Sequence, residues 1–223
     1  MQYSAIILCA GKGSRTGLSY NKILHRLEDK TIYETTIDTF IKDPQCQQII
    51  IVTKKEEVQI LKSLVTNSKI EYVFGGKERQ DSVYAGLTKV KEPYVLIHDG
   101  ARPFIEKKQI DAVLTCLRTH HACVLMIPCI DTVKEVKDGK VVRTLARDTL
   151  FYAQTPQAFF TKTIIEAHQQ AQIHNVYATD DSALIEKFTK EEVYVVVGDE
   201  RNKKITTPAD IKETGTCIST KKI

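Results

Sequence analysis

Residues 3 to 17 read Y-S-A-I-I-L-C-A-G-K-G-S-R-T-G. A short apolar, β-rich run stops at glycines, the pattern of a buried strand that delivers its C-terminal end into a loop whose backbone N–H groups can approach an anion. Lys12 and Arg15 lie in that loop and Lys22 just beyond it, so the expected ligand is a small polyanion. The spacing Gly11-x-Gly13-x-x-x-Gly17 is not the dinucleotide pattern G-x-G-x-x-G, because Thr16 stands where the third glycine belongs, and the Walker string G-x-x-x-x-G-K-[ST] does not occur.

Outward from this stretch, the same unit recurs. Apolar runs at Gln48 to Thr53, Ile70 to Phe74, Tyr94 to His98 and Ala122 to Ile127 alternate with helical spacing. The helices fall around Ile32 to Phe40, at Glu56 to Val65, at Ser82 to Val90 and at Ile110 to Leu117. Near-continuous apolar strands separated by amphipathic helices predict a doubly wound α/β fold with a mostly parallel sheet covered on both faces. Gly11-Gly13, Gly75-Gly76 and Gly100 each follow a strand, which brings three loops to the crevice at the strands' carboxyl ends, where such sheets bind ligands. From Asp131 to Gln157 the pattern turns polar and β-branched around Lys137-Asp138-Gly139-Lys140, and we expect a protruding β-arm over about 131–157. Helices near Lys162 to Ala171 and Asp181 to Phe188, a strand at Val193 to Val197 and a helix opening at Pro208 complete one domain over 1–223.

Composition narrows the class. The 223 residues are 42% hydrophobic and 27% charged, with no Trp, which excludes disordered, collagenous and coiled-coil chains. The longest apolar run, Cys123 to Ile130, is far short of the roughly 20 residues of a membrane helix, and a cytoplasmic protein without membrane partners is expected. Six cysteines without a C-x-x-C pair read as reduced thiols, mostly buried. The net charge of +4 is local rather than blocked, which argues against nucleic acid as partner. His98 reads as a packed strand residue. Asp99, at a strand's C-terminal end, is placed equally for Mg²⁺ or a hydroxyl and for capping its turn. Asp180-Asp181-Ser182 reads as a helix start with acidic caps. There is no G-x-S-x-G nucleophile string and no zinc-ligand spacing.

Taken together, A-G-K-G-S-R at 10–15, N-K at 21–22, G-G-K-E-R-Q-D-S-V at 75–83, H-D-G-A-R-P-F at 98–104, D-T-V-K at 131–134, A-Q-T-P-Q-A-F at 153–159, T-D-D-S-A-L at 179–184 and N-K-K-I-T-T-P-A-D at 202–210 resemble the 2-C-methyl-D-erythritol 4-phosphate cytidylyltransferase family, in order and spacing, over about residues 3 to 212. The resemblance implies a Rossmann-like nucleotidyltransferase that joins CMP from CTP to methylerythritol phosphate in non-mevalonate isoprenoid synthesis, with Mg²⁺ held mainly by the triphosphate. It implies that Arg15 and Lys22 stabilise the transition state and that Arg147 and Lys204 position the acceptor phosphate. Nucleotide binding would fall on Cys9, Ala10, Gly11, Gly13, Gly76, Lys77, Ser82 and Gly100, and the acceptor side on Asp99, Arg102, Thr132 and Thr155. It further implies a homodimer joined through the β-arm, with Thr132 and Arg147 of one chain serving the acceptor held by the other.

Two positions depart from the pattern. Many members have Pro before the catalytic lysine where this chain has Asn21, which removes a ring's stiffness from the loop, and many have Ala where this chain has Cys9. The sister activity toward ribitol 5-phosphate is the nearest alternative, and a non-catalytic nucleotide sensor is another. Retention of Arg15, Lys22 and Lys204 argues against the sensor. A phosphate monoester is already ionised at pH 7, so the chemistry calls for cations and positioning rather than a general base, in keeping with the lack of a His or Ser dyad.

Overall fold

The computed structural model describes residues 1–11 and 17–217. In chain order it begins with β1 (Tyr3–Leu8), a two-residue hairpin of β2 (Arg26–Leu27) and β3 (Lys30–Thr31), and α1 (Ile32–Lys42). Next come β4 (Cys46–Thr53), α2 (Val58–Leu64), β5 (Ile70–Phe74), α3 (Arg79–Leu87), β6 (Tyr94–Asp99), α4 (Lys107–Cys116) and β7 (Ala122–Pro128). The hairpin β8 (Lys134–Lys137) and β9 (Lys140–Thr144) follows, then β10 (Phe151–Phe160), α5 (Thr161–Ile173), α6 (Ser182–Phe188), β11 (Val193–Val197) and α7 (Pro208–Cys217).

Seven strands form one sheet in the order β11-β7-β10-β6-β1-β4-β5. Every neighbouring pair is parallel except the two made by β10. Both faces are covered, and β1 shows why its sequence is a continuous apolar run. Ala5 and Ile7 pack with Ile37 and Phe40 of α1 and Ile110 and Val113 of α4, whereas Ile6 packs with Val83 of α3 and Ile164 of α5. Each of these buried isoleucine, valine and phenylalanine side chains contributes roughly 1.5–3 kcal/mol. Helix α1 starts sharply because Thr31 and Glu34 cap it reciprocally: Thr31 Oγ1 accepts from the Glu34 N–H at 3.1 Å, and Glu34 Oε2 accepts from the Thr31 N–H at 2.7 Å.

The expected arm divides in two. Its hairpin is present: Asp138 and Gly139 both take left-handed φ, 50° and 76°, the pair of conformations a tight twisted hairpin turn demands. Val136, Val141 and Val142 on its strands are exposed. The stretch from Phe151 onward is not arm but β10, whose buried half runs through Thr155, Pro156 and Gln157 between β6 and β7. Pro156 concealed it, since a proline reads as an edge or a break; the ladder accommodates it at a register shift between Ala153 and Gln157. No helix among the described residues is long and apolar enough to cross a membrane.

Candidate active site

A cleft of about 950 Å³ opens at the carboxyl ends of β1, β5 and β6, as the glycine positions predict. One wall is backbone. Cys9, Ala10 and Gly11 carry the chain out of β1, and Gly76, Lys77 and Ser82 line the cleft beside them, where a Cβ on Gly75 would lie 2.7 Å from Ala10 Cβ. The second loop is folded onto α3 by Ser82, whose hydroxyl accepts from the Gly76 N–H at 3.1 Å and donates to the Glu78 carbonyl at 3.1 Å. Gly76 has no room for a side chain, since a Cβ there would lie 2.3 Å from Asp81 Cβ. Gly100 is equally tight, its virtual Cβ 2.7 Å from Cys9 Sγ and 2.8 Å from the Leu8 carbonyl oxygen. Gly100 therefore shapes this wall from behind. Cys9 is buried, which pushes its thiol pKa well above the usual range and leaves it neutral.

The opposite wall is made of charged side chains. Asp99 closes β6, and three cations surround its carboxylate: Lys204 Nζ at 2.8 Å, Arg102 Nε at 3.6 Å and Arg79 Nε at 3.8 Å. Burial alone would raise the Asp99 pKa, but Lys204, Arg79 and Arg102 outweigh it and hold the carboxyl well below its ordinary value. The Asp99 N–H donates to Thr155 Oγ1 at 3.0 Å, and that hydroxyl lies 3.1 Å from His98 Nδ1. The other ring nitrogen, Nε2, is 3.1 Å from the Arg102 carbonyl, which accepts only. The proton of His98 is thus on Nε2 and Thr155 donates to Nδ1, a neutral imidazole whose pKa burial lowers to about 4. His98 is a packed support beneath Asp99, as its place in the strand suggests. Arg102 is fixed by donating to the Asn202 carbonyl at 2.7 Å, while Asn202 itself donates to the Thr155 carbonyl at 2.8 Å.

Arg79 is a cleft residue that sequence reasoning left without a role. Its Nη1 sits 2.8 Å from Asp181 Oδ2, so its guanidinium links Asp181, at the start of α6, to Asp99 at the end of β6. Burial raises the Asp181 pKa, Arg79 and His168 lower it, and the net direction is down. The acidic pair therefore divides its work. Asp180 supplies the capping bond to α6, accepting from the Ala183 N–H at 3.1 Å, whereas Asp181 occupies the N-cap position without a side-chain capping bond and serves as an ion-pair partner. The local pattern does not point to this pairing, because Asp81 in the same first turn already offsets the charge of Arg79 against the helix dipole.

Lys22 lines the cleft from the turn after the glycine loop. Arg15 and Gly13, with Lys12, lie outside the described residues. Thr132 and Arg147 stand on the exposed base of the arm, Arg147 donating to the Ile130 carbonyl at 2.9 Å; of the described residues lining the cleft, none comes from the arm. Among the described residues, no cluster of three His, Cys, Asp or Glu side chains is arranged to hold a metal ion.

Comparison with known proteins agrees with this geometry. The family model for 2-C-methyl-D-erythritol 4-phosphate cytidylyltransferase matches residues 3–219. The chain is 41% identical over 215 residues to that enzyme from Clostridioides difficile, covering 94% of this chain and 90% of the relative. It is 39% identical over 216 residues to the one from Bacillus pumilus, covering 95% and 94%. Among solved structures it superposes on the 4-diphosphocytidyl-2C-methyl-D-erythritol synthase of Anaerococcus prevotii with a TM-score of 0.88 at 33% identity, covering 98% of this chain and 96% of that one. The corresponding Thermus thermophilus cytidylyltransferase gives 0.81 at 26%, covering 98% and 100%. A match that runs nearly end to end and includes the loops that build both walls has one reading: the chain belongs to the 2-C-methyl-D-erythritol 4-phosphate cytidylyltransferase family.

Proposed function

We propose that this chain transfers a cytidylyl group from CTP to 2-C-methyl-D-erythritol 4-phosphate, with Arg15 and Lys22 stabilising the transition state and Lys204 and Arg147 positioning the acceptor phosphate. The observation that carries the reading is the pairing of two unlike walls on one cleft: a side-chain-poor loop pair fit for a nucleotide, facing lysines and arginines gathered around Asp99. A phosphate oxygen of the acceptor attacks the α-phosphorus of CTP, the bond from that phosphorus to the bridging oxygen breaks, and pyrophosphate leaves with the electron pair. The nucleophile arrives ionised, so the protein's task is to hold two polyanions together, and preorganised cations do this without proton transfer. Lys204, paired with Asp99 at 2.8 Å, is preset at the acceptor side. Asp99 itself, next to three cations, is a poor ligand for a divalent ion. That arrangement fits Mg²⁺ bound through the triphosphate oxygens and water, with Asp99 facing the acceptor instead. When bound, Mg²⁺ would neutralise the triphosphate and the departing pyrophosphate.

The exposed Val136, Val141, Val142, Phe151 and Tyr152 support a homodimer through the arm, in which Thr132 and Arg147 serve the partner's acceptor. Five described cysteines are unpaired and four of them buried, consistent with a reducing cytoplasm. Pyrophosphate release measured with each of four nucleoside triphosphates, offering methylerythritol phosphate and ribitol phosphate separately, tests the reading. CTP with methylerythritol phosphate should dominate, because a pocket that satisfies one base leaves polar groups unpaired with another. Equal turnover of UTP would overturn it. Mixing Arg147→Ala with Lys22→Ala chains tests the shared site, since the heterodimer would hold one intact centre. Mixtures shown to contain heterodimer, yet as inactive as their parents, would reject it.

A further inference from the structure

We infer that Asn21 is a positioning residue for Lys22: its side-chain amide clamps the Lys22 turn to the mouth of the nucleotide loop and to Glu57. The inference rests on the reading of Lys22 given above.

Asn21 is 5% exposed although it stands at the rim of a polar cleft. Its Nδ2 donates to the Cys9 carbonyl at 2.8 Å and to Glu57 Oε2 at 2.9 Å, using both amide protons. Its Oδ1 accepts from the Ile23 N–H at 3.4 Å, and its backbone carbonyl accepts from the Leu24 N–H at 2.9 Å. The amide orientation is fixed by these neighbours: turned over, the oxygen would face two acceptors and the NH₂ group would face a donor. Three separate segments thereby meet at one side chain, namely the strand-end carbonyl that opens the nucleotide loop, the α2 approach through Glu57, and the turn Lys22–Leu24. Ile23, buried at 2% exposure, anchors the far side of the turn in the core. Lys22 thus leaves a backbone pinned on both sides, one by a polar clamp and one by apolar packing.

The backbone of Asn21 carries the same message. Its φ is −63°, the value a pyrrolidine ring would impose, with an extended ψ of 123°. A proline would impose that φ through its ring; here hydrogen bonds hold it. A hydrogen-bonded clamp also depends on its partner. Glu57 is held in turn by Thr53 Oγ1 and Lys54 Nζ, each at 3.4 Å, so its carboxylate is preset to receive the amide.

The test exploits that dependence. Asn21→Asp keeps size and shape but presents carboxylate oxygens to the Cys9 carbonyl and to Glu57, replacing two attractive contacts by two repulsive ones. We expect kcat to fall about 30-fold while KM for CTP stays within about threefold, because the lost term is alignment of a transition-state cation and not ground-state binding. Glu57→Gln in the Asn21→Asp background supplies an NH₂ donor to the new carboxylate and should raise kcat at least about fivefold, a coupling that two independent defects would not show. In a Lys22→Ala background, Asn21→Asp should cost less than about threefold more, since it has no cation left to misplace. Asn21→Ala, which removes the clamp without repulsion, should lower kcat about tenfold and serves if the aspartate variant fails to fold. The inference is overturned if Asn21→Ala or Asn21→Asp keeps kcat within about twofold of wild type, if Glu57→Gln fails to rescue, or if the Asn21→Asp penalty persists undiminished without Lys22. Lys22→Ala alone separates the two readings. Full activity there defeats the assignment of Lys22, whereas an inactive Lys22→Ala beside a fully active Asn21→Asp defeats only the clamp.

Discussion

The two walls of the cleft are made differently. On the wall built by the loops after β1 and β5 the surface is backbone brought close by glycines, and a single added carbon at Gly76 collides with Asp81. On the other wall the surface is an arrangement of charges around Asp99, tied by Arg79 to α3 and by Lys204 to the loop before α7, with Arg102 beside it from the same turn. The first wall is sensitive to shape and indifferent to much of the chemistry of its side chains. The second is the reverse. If the two walls hold base and acceptor as proposed, hydrogen bonds to fixed backbone groups discriminate between bases and the clustered cations hold the acceptor phosphate.

The largest expected effects come from the cations meant to act on the reacting phosphate rather than on either wall. Lys22→Ala and Arg15→Ala should each lower kcat by about 10²- to 10³-fold in steady-state assays, which is what one preorganised charge donor contributes. Near-normal kcat in either would remove that residue from the mechanism. Next is the shape-sensitive wall: Gly76→Ala should raise KM for CTP by about 10- to 100-fold and leave KM for the sugar phosphate within about threefold. If both constants rose together, the walls would not be separable. Arg79→Gln probes the charge-sensitive wall, leaving buried Asp181 without its guanidinium partner and with His168 alone at 3.4 Å. Its expected signature is the mirror image, with KM for the sugar phosphate up about tenfold and KM for CTP little changed.

The smallest effect is on stability rather than rate, and it belongs to His98 under the acceptor wall. Its folded pKa of about 4 lies below the unfolded value of 6.5. The unfolded chain therefore binds the proton first as pH falls from 6.5 toward 4, and folded stability declines through that window. The loss should be roughly 1 kcal/mol between pH 7 and pH 6 and roughly 2 by pH 5, visible as a shift of the urea midpoint at constant slope. A His98→Gln variant should lose this acid dependence. If the two titrated alike, His98 would not be the group responsible.

What the sequence made legible and what it concealed follow the range of the interactions involved. Apolar runs such as Tyr3 to Leu8 announce themselves as strands because every side chain in them is buried by generic packing. Strand β10 does not, since Gln154, Pro156 and Gln157 look like loop residues. Yet Gln157 is buried because its side-chain Oε1 accepts from the Asp181 and Ser182 N–H groups and its Nε2 donates to Asp180, partners at the start of α6 that the local pattern does not reveal. The same holds for the site. Glycines and acidic groups at strand ends are readable one loop at a time, and so Gly11, Gly76 and Asp99 were legible as cleft residues, whereas Cys9, Ala10 and the role of Lys204 came only with the family resemblance. Arg79 and Asn21 were not, because their roles are defined by Asp181 and Glu57, which only the fold brings to them.

The antiparallel course of β10 has a consequence for the arm. Because β10 runs against its neighbours, it pairs directly with β7: Pro128 is opposite Phe151, and the Cys129 N–H donates to the Leu150 carbonyl at 2.9 Å. The two strands and everything between them are topologically one long hairpin whose tip has been elaborated into the arm. Residues 130–149 are thus an excursion from the tip of that hairpin, and none of the described residues lining the cleft lies in it. A plain turn there would leave the seven-stranded sheet and the described cleft lining in place, so shortening the arm separates its proposed service to a second subunit from the integrity of the fold.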